Sequence, residues 1–349
     1  MAKKGLGLPE TKGFYQTKGI VTGTKKDGFY KELVTKSKMP MRMVNFALKT
    51  SEKSNVYLSM SGMERDFVYF SKTEKVDGKK VTDTIKVPWK DRFDFKKEGY
   101  RMFGVNVGVK KVLDKDNKEV NDKKTLVEYD ACKEVSDNLV DGVSVFSKGK
   151  LDFSSYVKDG NTKRATKLVP AQLSLCQNVD FEKEGFEASA DFKQTFIFDS
   201  IEKVDGKEKW LVNTKIITYN SVEQAEFIIY DKALASDFRK QLKPYTAIEV
   251  CGVISSLVND EKVEKSKDDV WGNENQMSKL NAPIVIEFVI TAAYPSSIDT
   301  TTYTETAVNQ VIQEINANKK ASGEFGKKEG GWSAVADNNA SEEDSSVDW

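Results

Sequence analysis

The chain has 349 residues, of which 39% are hydrophobic and 31% charged, enough for about two modest domains plus some non-globular sequence. It contains no histidine, which removes His-based acid/base catalysis, Ser-His-Asp and Cys-His nucleophile systems and His-ligated metals together. Its zero net charge sums unlike parts: residues 1–180 carry 36 Lys+Arg against 24 Asp+Glu, residues 181–300 carry 14 against 21, and residues 301–349 carry 4 against 9, so the first half is expected to meet a polyanion.

In chain order, residues 1–40 are rich in Lys and Gly, with the aromatic pairs Phe14-Tyr15 and Phe29-Tyr30 set between lysines. No helical or strand period persists there, and a basic flexible arm is expected. The opening MAKKGLGLPETKG has no apolar leader core, and no run of eighteen apolar residues follows, so a soluble, cytoplasmic protein without a membrane span is expected.

From Met41 the pattern turns to strands. MRMVNFALKT, NVYLSMSG and FVYFSK are rich in β-branched and aromatic residues, and Val76-Asp77-Gly78-Lys79 marks a turn into Val81–Val87. Further strands are predicted over Met102–Val112 and Thr125–Tyr129, then a short helix between Cys132 and Leu139. A long hairpin follows over Asp141–Cys176, with Val143, Val145, Leu151, Phe153 and Tyr156 on the outgoing arm and Asp159-Gly160-Asn161 at the reversal. Lys158, Lys163, Arg164 and Lys167 crowd its tip. Several short strands with a helix before the last pair is the order of a small barrel.

Residues 181–300 repeat that order. Phe192–Val204 and Lys209–Tyr219 flank Asp205-Gly206-Lys207, Glu226–Tyr230 gives a third strand, and Leu234, Phe238 and Leu242 give Lys232–Leu242 one apolar helical face. Ala247–Ser256 and Ile284–Ala293 complete it around the polar loop Asn259–Asn281. A Gly-containing strand follows the helix in both halves, in VSVFSKGKLDF and IEVCGVISS. The predicted fold is therefore mainly β: tandem OB-like barrels over 41–180 and 181–300, with short helices. A C-terminal helix over 301–320, opened by a Thr302-x-x-Glu305 capping box, with Ala307, Val308, Val311, Ile312 and Ile315 as one apolar stripe and docked on the second barrel, is expected next. A disordered acidic tail over 321–349 completes the chain. Trp210 reads as core, whereas Trp271 in the polar loop is either an anchor or a contact.

Cys132, Cys176 and Cys251 have no C-x-x-C spacing, so neither zinc site nor disulfide is indicated and free buried thiols are expected. No cofactor is implied, and pairs such as Asp268-Asp269 read as loop solvation rather than a nuclease metal site.

The last fifteen residues, VADNNASEEDSSVDW, hold Asp337, Glu342, Glu343, Asp344 and Asp348, no cation, and a terminal Trp349. An exposed indole gains nothing from water, so a docking peptide for a basic-rimmed apolar pocket is expected. This tail and the hairpin K-G-K-L-D-F-S-S-Y-V-K-D-G-N, with Gly149 entering the strand and Asp159-Gly160-Asn161 turning it, resemble the corresponding parts of bacterial and phage single-stranded-DNA-binding proteins of the oligonucleotide-binding (OB) fold. The resemblance covers the hairpin and tail, and elsewhere the order of elements. The chain departs from that family in ending Val347-Asp348-Trp349 rather than in an apolar residue, Pro and Phe, and in being nearly twice as long; as a histidine-free tandem it looks more like a phage version.

The resemblance implies non-enzymatic, sequence-tolerant binding that protects strands exposed in replication, recombination and repair, with the tail recruiting replication or recombination proteins. Residue chemistry agrees: cations release counterions from a phosphate backbone, and aromatic faces stack on any base. The stacking candidates are Phe153, Tyr156, Tyr57, Tyr69 and Trp89. The phosphate candidates are Lys148, Lys150, Lys158, Lys163, Arg164 and Lys167, then Arg42 and Lys49. The competing function is a phage structural or assembly adaptor built from similar small barrels.

Overall fold

A computed structural model describes residues 6–35, 37–76, 78–158, 161–258 and 284–321. Asp77, Asp159 and Gly160 of the expected turns, the loop Asn259–Asn281 with Trp271, and the tail with Asp337, Glu342, Glu343, Asp344, Asp348 and Trp349 lie outside the described residues.

The protein is mainly β, with eighteen strands among the described residues: β1 (Gly13–Thr22), β2 (Tyr30–Val34), β3 (Pro40–Lys49), β4 (Asn55–Met63), β5 (Phe67–Val76), β6 (Lys79–Pro88), β7 (Arg101–Met102), β8 (Val105–Gly108), β9 (Lys111–Leu113), β10 (Glu119–Asn121), β11 (Lys124–Leu126), β12 (Ser144–Lys158), β13 (Asn161–Leu175), β14 (Ser189–Lys203), β15 (Trp210–Ile217), β16 (Val222–Ile229), β17 (Thr246–Val258) and β18 (Ile284–Asp299). Helices α1 (Glu128–Asn138), α2 (Lys232–Gln241) and α3 (Glu305–Ala321) accompany them. The chain divides into two compact units. The N-terminal unit is built on Tyr15–Leu48 and Tyr57–Phe186; the C-terminal unit takes the described residues of Glu187–Lys327 with those of Met1–Phe14 and Lys49–Val56.

Each half of the chain closes a five-stranded circuit. In the first, β1 pairs β3, β3 pairs β4, β4 pairs β13, β13 pairs β12, and β12 returns to β1. In the second, β14, β15, β16, β18 and β17 pair in that order and β17 returns to β14. The third and fifth strands run parallel in both, at Leu58 opposite Leu168 and Ile228 opposite Val289. A helix links third to fourth strand in each case, as the sequence order predicts. Closure leaves no free strand edge within a circuit.

The two circuits also share a bulge. On β12, Lys148 faces Gln172 but Gly149 faces Pro170, so Ala171 is skipped. On β17, Cys251 faces Ala292 but Gly252 faces Ile290, so Thr291 is skipped. A β-carbon on either glycine would sit 1.9 Å from the carbonyl oxygen of Val169 or Val289. Only glycine admits that approach, and the bulge bends the strand to close the barrel.

The core is apolar where strands alternate. Val44, Phe46, Leu58, Met60, Val145 and Leu173 are buried in the N-terminal unit. In the C-terminal unit the ring of Phe227 lies 5.1 Å from Phe196 and 5.7 Å from Phe192, spacings at which aromatic pairs attract beyond their buried area. Trp210 is buried as expected. So is the Glu287 carboxylate, which accepts from Lys209 Nζ and, at 2.8 Å, from the Tyr230 hydroxyl; a buried charge persists only when so paired.

Three expectations are corrected. Residues 13–22 form a strand where a flexible basic arm over 1–40 is expected. The inward positions of β1 are Gly13, Tyr15, Thr17, Gly19 and Val21, mostly small or polar, so no hydrophobic alternation announces them; the Tyr15 hydroxyl instead meets Ser147 Oγ at 2.9 Å in the interior. Glu128 and Tyr129, expected in a strand, begin α1. The cap of α3 is Thr304, not Thr302: Thr304 Oγ1 accepts from the Ala307 amide at 3.3 Å, while the Thr302 amide donates to Asp299. That helix does dock, with Val308, Ile312 and Tyr303 packing on Ile197, Ile217, Leu6 and Leu8.

The Cys132 thiol is fully buried and donates to the carbonyl oxygens of Met60 and Arg42, and burial pushes its pKa up to about 12. Because the thiolate is the nucleophile, native protein at pH 8 is expected to leave Cys132 unlabelled by a maleimide and to label it fully in denaturant. Equal labelling in both states, read by peptide mass spectrometry, would contradict that burial.

Candidate nucleic-acid interface

The hairpin of β12 and β13 runs from the barrel to its tip in one register. Tyr156 stands directly opposite Lys163, Asp152 opposite Lys167, Lys150 opposite Val169 and Ser155 opposite Arg164. Because side chains alternate along a strand, Lys148, Lys150, Asp152 and Tyr156 share one face with their partners, while Leu151, Phe153 and Ser155 share the other. Burial confirms the division: Phe153 is 7% exposed and Leu151 also 7%, whereas Lys148, Lys150 and Lys163 are exposed and Tyr156 and Lys167 half-buried. The outer face therefore sets Lys163 opposite Tyr156 and Lys167 opposite Asp152, with Lys150 and Lys148 further along β12, about 20 and 26 Å from Tyr156 at about 3.3 Å per residue. Lys148, Lys150 and Lys163 form no ion pair with another described residue.

This face separates the sequence candidates. Phe153, expected to stack on a base, is core: it opposes Thr166 on the face turned to the barrel interior. Arg164 is exposed but leaves the strand on the face opposite to Tyr156. The backbone of Lys158 pairs with Asn161 at the end of the described strand. Tyr57 is half-buried on β4, and burial raises its pKa.

The remaining candidates are structural or lie elsewhere. Arg42 binds Glu32 at 3.1 Å and sets its guanidinium 4.0 Å over the Tyr129 ring. With the Tyr30 hydroxyl donating to it and Arg42 beside it, the Glu32 carboxyl is held below its usual range. Arg42 is thus engaged within the protein rather than presented to phosphate. Lys49 is half-buried and belongs to the C-terminal unit. Trp89 is packed against the cluster of Val68, Phe70, Val87 and Tyr129, its ring edge-on to Tyr129 at 5.8 Å, and so is not a base platform. Arg92 covers it at 4.2 Å while making two hydrogen bonds to Asp130, of 2.7 and 3.0 Å, which tie the turn Trp89–Asp91 to α1.

Tyr69 is 49% exposed. It lies on a separate three-stranded sheet, ordered β6-β5-β7, inserted between the third strand of the first barrel and α1. Two exposed rings beside it, Phe67 and Phe103, are absent from the sequence candidates. The signal was in FVYF, which is apolar throughout; only the pairing with β6 and β7 tells which alternate residues face out. Among the described residues no group of three or more Cys, Asp or Glu side chains is placed to hold a metal ion, and no helix is long and apolar enough to cross a membrane.

Comparison with known proteins gives one family. The family model described as YorF matches residues 45–328. No curated protein matches the chain. Among solved structures, the wild-type single-stranded DNA binding protein from Thermus aquaticus is similar with a TM-score of 0.38 at 10% identity, covering 82% of this chain and 93% of that one. A deletion mutant of the same protein gives a TM-score of 0.38 and 10% identity over 82% of this chain and 94% of that one.

Proposed function

The chain belongs to the YorF family, and we propose that this member is a non-enzymatic, sequence-tolerant single-stranded-DNA-binding protein. The observation that carries the reading is the outer face of the β12–β13 hairpin, where Tyr156 stands across from Lys163 with Lys148, Lys150 and Lys167 along the same surface. A ring with a cation directly across the strand pair, and further cations along the same face, suits a base stacked beside a phosphate, and nothing in such a contact reads the base. The excess of cations in residues 1–180 supports the same partner. In this reading the protein acts in the cytoplasm, covers strands exposed during replication, recombination and repair, and recruits replication or recombination proteins through its acidic, Trp-ended tail.

The test is a titration of oligo(dT) at two salt concentrations, followed by intrinsic fluorescence. Four phosphate contacts give a slope of about −2.8 in log affinity against log salt, so binding weakens roughly 50-fold between 50 and 200 mM. Duplex of equal length binds less tightly. No fluorescence or mobility change with single strands at low salt would sink the reading, and a large regular ring indifferent to nucleic acid would point instead to a structural adaptor.

A further inference from the structure

The sheet of β5, β6 and β7 has two unlike faces. One is core: Val68, Phe70 and Val87 are buried and Ile85 and Met102 pack against them. Their neighbours in sequence point the other way. Register places Tyr69 opposite Lys86 on β6, and on β7 Arg101 is opposite Ser71 while the Phe103 amide donates to the Tyr69 carbonyl oxygen at 2.8 Å. A row of Phe103, Tyr69 and Lys86 therefore crosses the sheet, with Phe67 beside it. Phe67, Tyr69 and Phe103 are 38, 49 and 53% exposed, and Lys86 Nζ sits 3.7 Å over the Phe67 ring.

Charge on that face is of one sign. Besides Lys86 and Arg101 it carries Lys75 and Lys80, both exposed and directly opposite each other at the far end of the hairpin. Like charges so placed repel and cost stability unless an anion joins them. The acidic residues of the same strands, Glu74 and Asp83, leave on the opposite face, where Glu74 pairs with Lys72 and Asp83 accepts from Tyr100. Among the described residues of the three strands this face carries no carboxylate. Three rings grouped on water, when singly exposed apolar residues are the norm, mark a contact surface.

We propose that this face is a second binding surface for single-stranded DNA, with bases stacking on Tyr69, Phe103 and Phe67 and phosphates meeting Lys86, Arg101 and the Lys75–Lys80 pair. From Phe67 to Lys75 the track runs about 26 Å at about 3.3 Å per residue. An aromatic row with cations on both sides is a sequence-tolerant platform: every base has a π-face and every nucleotide a phosphate. A protein partner matches less of the face, since opposed lysines and a carboxylate-free surface call for a polyanion. The proposal rests on single-strand binding by the chain and adds a place for it that the hairpin does not supply.

Full-length wild type is compared with Tyr69→Ser/Phe103→Ser, with Lys86→Gln/Arg101→Gln and with Tyr156→Ala in oligo(dT) titrations, each variant checked for unchanged circular dichroism. A 5-iododeoxyuridine oligonucleotide is crosslinked to wild type in parallel and the attached peptides are mapped. Each platform variant is expected to weaken binding roughly 10-fold, and crosslinks fall on Tyr69 or Phe103. Wild-type affinity in both platform variants, with weakening confined to Tyr156→Ala and no crosslink on β5 or β7, overturns the platform and leaves single-strand binding standing. No binding by wild type removes both.

Discussion

Alanine at Gly149 is expected to destabilise the protein by about 3 kcal/mol, the upper end of what overpacking a tight site costs. The added β-carbon meets the Val169 carbonyl oxygen at 1.9 Å and the Ala171 nitrogen at 2.8 Å. Both are backbone atoms, so no side chain can swing aside, and the bulge must open to admit the methyl group. At 2–4 °C per kcal/mol for a unit of this size, the thermal midpoint falls by roughly 6–12 °C. Calorimetry checks it, and Gly252→Ala, whose β-carbon would lie 1.9 Å from the Val289 oxygen, is the independent repeat in the other circuit. A shift under about 2 °C at both positions would mean that the strands relax freely around the bulge.

The second large effect is on binding. Lys150→Gln, Lys163→Gln and Lys167→Gln together remove three cations from the outer hairpin face. At about 0.7 counterions released per contact, the salt slope shallows by about 2 and affinity for oligo(dT) in 50 mM salt drops on the order of 100-fold. The three side chains are exposed or half-buried, so stability stays within about 0.5 kcal/mol of wild type. Filter binding across a salt series reads both quantities. An unchanged slope would show that these lysines meet no phosphate, whatever the protein binds.

The sequence carried the order of elements better than the facing of side chains. Both helices before the fourth strands, both glycine-bearing strands and the docked α3 were readable because their signals are local: apolar residues at helical spacing, a turn dipeptide, a glycine in a β-branched run. The strand Gly13–Thr22 was not, since its inward residues are glycine, tyrosine and threonine and its burial is decided by Ser147, far along the chain. The same limit governs the site. Phe153 and Tyr156 are three apart, hence on opposite faces of a strand, but which face is core depends on Leu168 and Leu58 meeting across the parallel pair. Arg42 and Trp89 read as site residues in the sequence because Glu32 and Tyr129 reach them only through the pairing of β2 with β3 and the packing of α1. Phe67 and Phe103 lie in separate strands, and only the pairing of β5 with β7 brings Phe103 beside Tyr69.

The paired bulges fix what surrounds each kink. Gly149 is flanked on β12 by Lys148 and Lys150, and Gly252 on β17 by Cys251 and Val253, and each bulge skips one residue of the return strand at the same step. The glycine itself is dictated by the facing carbonyl oxygen, which would lie 1.9 Å from an added β-carbon in both circuits. Its neighbours on the strand are under no such constraint: cations flank the kink in the first circuit, a thiol and an isopropyl group in the second.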